Sequence, residues 1–212
     1  MKTRNAWFAA AAGLALLSAS AGNAQTAADT QVKSMLPPGT PAPSRPPPVF
    51  APGQALAPMA RATLFVRDLE KSLKLYRDIL GLTPMFDNAW KGKGINDIMG
   101  TKDLELHSVV LMAGNSGIGN IGLYQLSGNQ VQRQPKPSQT PDTRIGDFAV
   151  IFPTNDIWGM TKKIKDAGYV IVSPPVSLLD RPNMKQQALE MMFRDDDGVL
   201  VNLVQAGIPA GQ

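Results

Sequence analysis

The residue types that most often carry out chemistry are scarce in this chain. Its 212 residues include no cysteine and a single histidine, His107. The sequence also has no nucleophile motif, no glycine-rich phosphate-binding loop and no dinucleotide-binding fingerprint. His107 lies in an apolar stretch, 104–113, that is typical of a strand, and we expect it to be partly buried and hydrogen-bonded there. Catalytic motifs therefore do not identify a function. The function has to be inferred from the helices and strands that position the remaining polar side chains.

The clearest such element is the segment 61–82, RATLFVRDLEKSLKLYRDILGL. Its alternating apolar residues predict a strand from Arg61. Asp68 can then cap a helix, because its side-chain oxygen accepts from the first unpaired N–H groups. Gly81 ends the helix, since glycine adopts the left-handed backbone without a Cβ penalty. The helix has one apolar stripe, which consists of Leu69, Leu73, Tyr76, Ile79 and Leu80.

A similar plan returns later in the chain. Strands are predicted at 83–90, 104–113 and 120–127, and the glycine-rich segment 91–103, with Lys91 and Lys93, is predicted to be a loop containing at most one helical turn. A second strand–helix–strands series follows over 144–205. Its helix is expected to begin near Thr154 or Asn155, with Trp158 in the core. Two copies of about 80 to 90 residues, each βαβββ, predict an α+β fold.

The N-terminal part of the chain predicts export. Residues 1–24 contain Lys2 and Arg4, a short apolar run and then small residues, which is the layout of a secretory signal peptide cleaved after Ala24. The apolar run is shorter than the roughly 20 residues that a membrane-spanning helix needs. Without a cysteine to carry a lipid anchor, the mature protein is expected in the periplasm or secreted. The proline-rich segment 25–58 is predicted to be a disordered, extended linker.

The charge of the chain does not indicate a nucleic-acid partner. The net charge is +4 at pH 7, and removal of Lys2 and Arg4 would reduce it further. Nucleic-acid binding usually requires a concentrated basic surface. A small molecule is the expected partner, and the sequence leaves open whether the protein is a monomer or a homodimer.

Two stretches resemble a known family. VRDLEKSLKLYRDILGL near the start of the domain and FRDDDGVLVNLVQ near its end are similar to the vicinal oxygen chelate superfamily, which includes glyoxalase I, fosfomycin and bleomycin resistance proteins and extradiol dioxygenases. The resemblance implies a domain over 59–206 with βαβββ modules at about 59–128 and 144–206. It also implies that their strands form one open, incomplete barrel around a ligand cavity.

The same resemblance implies where a metal would bind. Members with metal chemistry use one ligand on the first strand and one on the last strand of each module, and the matching positions here are Arg61, Gly122, Asp147 and Asn202. An arginine stays protonated and a glycine has no side chain, so only one carboxylate and one amide remain. Divalent transition metals require more imidazole, thiolate or carboxylate ligands than this. We therefore expect no metal and no other cofactor.

Other roles remain for these positions. Arg61 and Asp147 correspond between the modules, so they could form a structural ion pair, or Arg61 could bind a ligand carboxylate or phosphate bidentately. Asn202 could orient a ligand, and Tyr124 should point to the same side of its strand as Gly122. Trp90 could stack on a ligand ring.

Two functions from different classes follow. The first is a non-catalytic protein that binds a small organic molecule, an anion included, in the cavity. The second is a metal-independent enzyme, a lyase, isomerase or hydrolase, with Asp147 as general base and Arg61 stabilising negative charge. An adjacent arginine would lower the pKa of Asp147 and weaken it as a base, which favours binding. A metal-dependent glyoxalase or dioxygenase is the least favoured function.

Overall fold

The structure is a computed structural model that describes residues 30–38, 40, 50–114, 118–129, 131–133, 135, 139–177 and 186–209. The predicted signal peptide, 1–24, lies outside the described residues. The chain divides into two compact units: residues 1–66 with 82–132, and residues 67–81 with 133–212.

The first unit contains a five-stranded sheet in the order β1-β3-β4-β5-β2. Strands β2 and β5 are parallel, and the other neighbouring pairs are antiparallel. The parallel pairing of β2 with β5 places Arg61 directly opposite Asn120, and Thr63 opposite Gly122. The strands are β1 (Thr30–Ser34), β2 (Arg61–Phe65), β3 (Thr83–Gly92), β4 (Glu105–Met112) and β5 (Asn120–Ser127).

The second unit contains a four-stranded sheet in the order β6-β9-β8-β7. Strands β6 and β9 are parallel, as β2 and β5 are in the first unit. The order β6-β9-β8-β7 therefore repeats the order β2-β5-β4-β3 of the first sheet. One face of this sheet is apolar and buried, with Val201 and Phe193 fully enclosed. The strands are β6 (Ala149–Pro153), β7 (Val170–Ser177), β8 (Gln186–Arg194) and β9 (Leu200–Pro209).

Helix α1 starts and stops where the sequence predicts. It is α-helical over Leu69–Leu73 and π-helical over Lys74–Ile79. The Asp68 carboxylate accepts the Lys71 N–H at 3.2 Å, and Gly81 has a φ of 77°. The wider π turn, with the Leu80 N–H bonded to the Leu75 carbonyl, brings Leu75 into the core although it is not on the predicted stripe. By its contacts α1 groups with the second unit.

Helix α3 (Ile157–Asp166) packs against β7, β8 and β9 of the second unit. Its cap is Asp156, which accepts the Gly159 N–H at 2.9 Å, one or two residues later than predicted. A side chain at Gly159 would collide with the Asp156 carboxylate. Trp158 is 54% exposed, so its prediction as a core residue is wrong. The helix buries Ile157 and Ile164 instead.

The predicted loop 91–103 contains helix α2 (Lys93–Met99), which ends at Gly100 in the left-handed conformation. Its Ile95 packs with Trp90, Leu104 and Leu106 in a buried cluster. The two lysines singled out in the sequence are both paired: Lys91 with Glu105, and Lys93 with Asp97 one turn along α2. The segment is therefore largely helical, and its helix packs on one end of the first sheet.

Strand β1 contradicts the prediction that all of segment 25–58 is a disordered linker. Thr30–Ser34 lie within 25–58, yet they pair antiparallel with β3, with Val32 opposite Trp90. The strand contains no proline, so each residue can donate to the ladder. It buries almost nothing. Backbone pairing with the edge of β3 is therefore what holds it in place.

The α+β class and the repeated strand arrangement are confirmed. The joining of the two sheets into one open barrel around a cavity stays a prediction.

Candidate functional site

The parallel pairing of β2 with β5 brings three of the sequence-predicted positions together in the first unit. Alternate residues of a strand point to the same side of a sheet. Arg61 and Thr63 on β2 therefore share a face with Gly122 and Tyr124 on β5. The contacts agree, because the Arg61 guanidinium lies 5.3 Å from the centre of the Tyr124 ring. Tyr124 is on the same face as Gly122, as predicted.

Arg61 lies close against the backbone of Gly122. A Cβ atom built at Gly122 would lie 3.0 Å from Arg61 Cδ and 3.1 Å from Thr63 Oγ1. These distances are shorter than ordinary van der Waals contact. The aliphatic part of Arg61 therefore crosses the space that a larger residue at 122 would need. The two departures from the metal-binding pattern in this unit fit each other sterically.

Tyr124 is held by aromatic and apolar neighbours. Phe65 meets its ring edge-on, with 5.9 Å between ring centres and an interplanar angle of 85°. The ring also packs against the buried cluster that contains Trp90. Arg61 thus lies over an aromatic ring with a fixed orientation, and a cation above a tyrosine face is stabilised by the ring quadrupole.

Trp90 is not placed to stack on a ligand. It is 7% exposed, and its indole N–H donates to Ser108 Oγ at 2.7 Å. A buried tryptophan with a satisfied N–H has a structural role. The hypothesis that it stacks on a ligand ring receives no support from this geometry.

Asp147 in the second unit has its own arginine partner. Arg194 Nη2 donates to Asp147 Oδ2 at 2.7 Å, and the backbone N–H of Arg144 donates to the same oxygen at 2.8 Å. Arg194 is 3% exposed and also donates to the carbonyls of Thr140, Asp142 and Gly198. The hydrogen bond from Arg194, followed by that from Arg144, lowers the pKa of Asp147. This carboxylate closes the turn before β6, and an ion pair with Arg61 stays a prediction.

Asn202 lies on β9 of the same unit and is 6% exposed. Its Nδ2 donates to Glu190 Oε2 at 2.9 Å, which fixes the orientation of the amide. Its Oδ1 is buried and has no hydrogen-bond partner in the part of the chain that the structure describes. Glu190 was not singled out in the sequence, and its side chain becomes relevant only through this contact.

His107 is hydrogen-bonded and partly exposed, as predicted. Its Nε2 lies 2.7 Å from Asp87 Oδ1, and 36% of its side chain is accessible. It lines a shallow groove of about 480 Å³ on the first unit, together with residues of β1, β3 and β4. The polar residues around it include the paired Lys91 and Glu105. Its geometry is that of a structural hydrogen bond to Asp87 on a sheet surface.

A buried acid that the sequence did not single out lies in the second unit. Asp195 is 3% exposed, and its Oδ2 accepts from the Tyr76 hydroxyl at 2.9 Å. Its Oδ1 accepts from the N–H groups of Asp197 and Val199 at 2.9 and 2.8 Å. Burial raises its pKa to about 6 even though these donors oppose the change. The signal available in the sequence was the acidic turn DDDG, which predicts a hairpin but gives no indication of Tyr76.

Asp195 and its neighbours connect α1 to the turn between β8 and β9. Arg67 pairs with Asp197, with 3.4 Å between Nε and Oδ1, and its backbone N–H donates to the same carboxylate. Burial, with the nearby Asp195 carboxyl, raises the pKa of Tyr76 well above its usual value. Because every oxygen of Asp195 is already paired, we assign it a structural role.

The donor set of the first unit does not fit a metal ion. Arg61 occupies the space beside Gly122, and neither residue supplies a lone pair. Within the described ranges no three His, Cys, Asp or Glu side chains are grouped closely enough to hold a metal. The expectation of a metal-free protein stays a prediction, and we derive no chemistry through a metal.

The comparisons with known proteins agree with this fold. Residues 59–203 match the model of the Glyoxalase/Bleomycin resistance protein/Dioxygenase superfamily, and the chain belongs to that family. A glyoxalase family protein from Bacillus cereus has a similar structure, with a TM-score of 0.60 at 15% identity over 74% of this chain and 99% of that one. A superfamily member from Sphaerobacter thermophilus gives a TM-score of 0.45 at 22% identity, covering 72% of this chain and 99% of that one.

At 15% identity the Bacillus cereus structure supports the fold and nothing finer. A search of curated proteins found no significant match. Among the described residues no helix is long and apolar enough to cross a membrane.

Proposed function

We propose that the domain binds a small anionic organic molecule, without a metal ion, on the face of the first unit that carries Arg61, Gly122 and Tyr124. The observation that carries the proposal is the position of Arg61, whose guanidinium lies 5.3 Å from the Tyr124 ring centre and beside a glycine. A guanidinium has five N–H donors in a planar fork, which matches the geometry of a carboxylate. Membership of the family supports the choice of a small molecule as partner.

The aromatic surroundings favour a ligand with a ring. Phe65 is 57% exposed and lies edge-on to Tyr124, so this face offers an apolar aromatic surface next to a positive charge. Burying a ring there would add hydrophobic free energy to the charge-assisted hydrogen bonds. Benzoate is the simplest molecule that has both features, and we use it as the probe.

The enzyme hypothesis receives less support. Its general base would be Asp147, but hydrogen bonds from Arg194 and Arg144 lower the pKa of that carboxyl, so it is a weak base near neutral pH. Asp195 has a raised pKa, yet it is enclosed and its oxygens are already paired. Binding is therefore the better-supported function.

The test is calorimetric titration of the protein with benzoate, acetate and uncharged benzamide. We expect benzoate to bind more tightly than either of the others. Arg61→Met keeps much of the aliphatic stem but removes the charge, so benzoate affinity should fall by roughly 10- to 100-fold, as expected for bonds worth about 1.5 to 3 kcal/mol. Arg133→Met, at an exposed position, is the matched control. Equal benzoate affinity in wild type and Arg61→Met would refute the proposal.

We also propose that the protein is exported and acts in the periplasm or outside the cell. The support is the charged start, short apolar run and small residues of segment 1–24. Intact-mass measurement of the protein from the periplasmic fraction should give a chain that begins at Gln25. Full-length protein in the cytoplasmic fraction would contradict this.

A further inference from the structure

Asn120, the first residue of β5, has unmet hydrogen-bonding capacity. The residue is 1% exposed, and both Nδ2 and Oδ1 are buried without a hydrogen-bond partner among the residues that the structure describes. Its backbone is satisfied, because its N–H donates to the Ala60 carbonyl at 3.2 Å. Buried side-chain amides in folded proteins nearly always have partners, because an unpaired one destabilises the fold. A specific explanation is therefore required for Asn120.

The position of Asn120 links it to the proposed binding face. It is directly opposite Arg61 in the parallel ladder of β2 and β5. It also precedes Gly122 and Tyr124 by two and four residues, so its side chain belongs to the same side of the sheet. The first unit thus presents an amide, an arginine and an aromatic ring along one strand pair.

A similar amide occurs on the last strand of the second unit. Asn202 is 6% exposed, and its Oδ1 also lacks a partner in the described ranges. Its Nδ2 is used by Glu190. A buried asparagine with an unmet side-chain atom thus occurs on the last strand of each unit.

We infer that Asn120 recognises an amide edge, an N–H beside a C=O, on the anionic ligand, an inference that rests on the proposed function. One planar amide with both its donor and its acceptor unmet is complemented by a group that presents an acceptor and a donor side by side. The Arg61 side chain runs from the level of Asn120 past Gly122 to Tyr124. The guanidinium therefore lies four residues along β5 from Asn120, which is roughly 13 Å at about 3.3 Å per residue. A hydrogen bond of about 3 Å at each end leaves roughly 7 Å between the ligand's amide and its carboxylate.

Access to Asn120 requires a movement. Both amide atoms are closed to solvent, so a ligand reaches them only when a neighbouring side chain shifts. Arg61 is the long, half-buried side chain on the adjacent strand. Pairing of its guanidinium with a ligand carboxylate would draw Arg61 away from its present position. Binding of the carboxylate and exposure of the Asn120 amide are therefore coupled.

The test compares two probes of almost the same shape. In 4-carbamoylbenzoate the carboxylate and an amide lie at opposite ends of a ring, and in 4-acetylbenzoate a methyl group replaces the NH2. Wild type should bind the carbamoyl compound about tenfold more tightly, as expected for an added hydrogen bond to a buried group. Asn120→Leu should abolish this preference, so that the two probes bind the variant with equal affinity. It should also raise the melting temperature, because an apolar side chain of similar size removes the unmet polar atoms.

The outcomes separate this inference from the proposal on which it rests. Equal wild-type affinity for the two probes would overturn it, and that comparison needs no variant. Persistence of the preference in Asn120→Leu, or a lower melting temperature of that variant, would also overturn it. If wild type binds benzoate and Arg61→Met weakens it, the proposed function stands whatever Asn120 does. If benzoate does not bind, or binds equally to Arg61→Met, the proposed function fails and the inference about Asn120 fails with it.

Discussion

Replacing Asp195 by asparagine should change how the stability of this domain depends on pH. The carboxyl is 3% exposed and accepts three hydrogen bonds, from the Tyr76 hydroxyl and from the backbone N–H groups of Asp197 and Val199. In Asp195→Asn the amide oxygen can keep the two backbone donors, and the new NH2 group can donate to the Tyr76 oxygen. The substitution therefore removes the charge and retains the hydrogen-bond geometry.

The sign and size of the effect follow from the pKa. Burial raises the pKa of Asp195 from 3.8 to about 6 in the folded protein. The folded state therefore binds this proton more strongly than the unfolded state does, and stability is lost as the pH rises from about 4 to about 6. At about 1.4 kcal/mol per pKa unit the loss is roughly 3 kcal/mol. Burial, the largest cause, also raises the pKa of Asp197, which adds to the loss in the same direction.

Thermal melts between pH 4 and pH 8 measure this difference. Relative to wild type, Asp195→Asn should gain roughly 6 to 12 °C in melting temperature between pH 4 and pH 7.5, for a domain of this size. Asp196→Asn is the matched control, since it removes the same charge at an exposed position of the same turn. Parallel curves for wild type and Asp195→Asn would refute the reasoning and show that Asp195 is ionised without penalty.

Three further predictions concern the other sites. Arg194→Met should cost about 3 to 5 kcal/mol of stability in denaturant titrations. Adding Asp147→Asn should restore only a small part of that loss, because three carbonyls still lose their donor. Near-complete recovery would mean that Asp147 is the main partner of Arg194. Gly122→Ala should weaken benzoate binding in calorimetry, since its Cβ would displace Arg61, and should have no such effect in an Arg61→Met background. Chelator should leave the melting temperature unchanged, and a fall that one divalent ion reverses would contradict the prediction of a metal-free protein.

Local signals in the sequence were sufficient for helix α1 and for the turns. The Asp68 cap and the Gly81 stop depend on residues within one helical turn, and both are confirmed. The π turn that buries Leu75 was not predictable, because a regular 3.6-residue period assigns that position to another face. Tertiary packing decides it.

Strand ends and edges were harder to predict. Strand β6 was predicted from Arg144 but begins at Ala149. The intervening residues form a turn in which the Arg144 N–H donates to Asp147 Oδ2 and the Asp147 N–H donates to the Arg144 carbonyl. Strand β1 forms by pairing with the edge of β3. The proline-rich sequence on either side of β1 gives no indication of that pairing.

The candidate site was predictable in position but less so in its partners. The family resemblance singled out Arg61 and Gly122, and strand alternation predicted Tyr124 on the same face as Gly122. The register agrees with that shared face and adds Arg61 to it. The partner of Asp147 is Arg194, 47 residues away, and that of Asp195 is Tyr76, 119 residues away. Contacts over such separations depend on the whole fold, and no local pattern encodes them.

In the first unit, Arg61 and Gly122 are sterically matched to each other. A carboxylate at 122 would collide with Arg61 as it lies here, and a shorter residue at 61 would leave Gly122 beside an unfilled space. Each residue is therefore compatible with the other and poorly compatible with the residue that metal binding would need at the other position. A single substitution toward the metal-binding type at either position would lose packing without creating a site. On our proposal, the positive charge of Arg61 on this face recognises an anion, a role that needs no metal ion at these two positions.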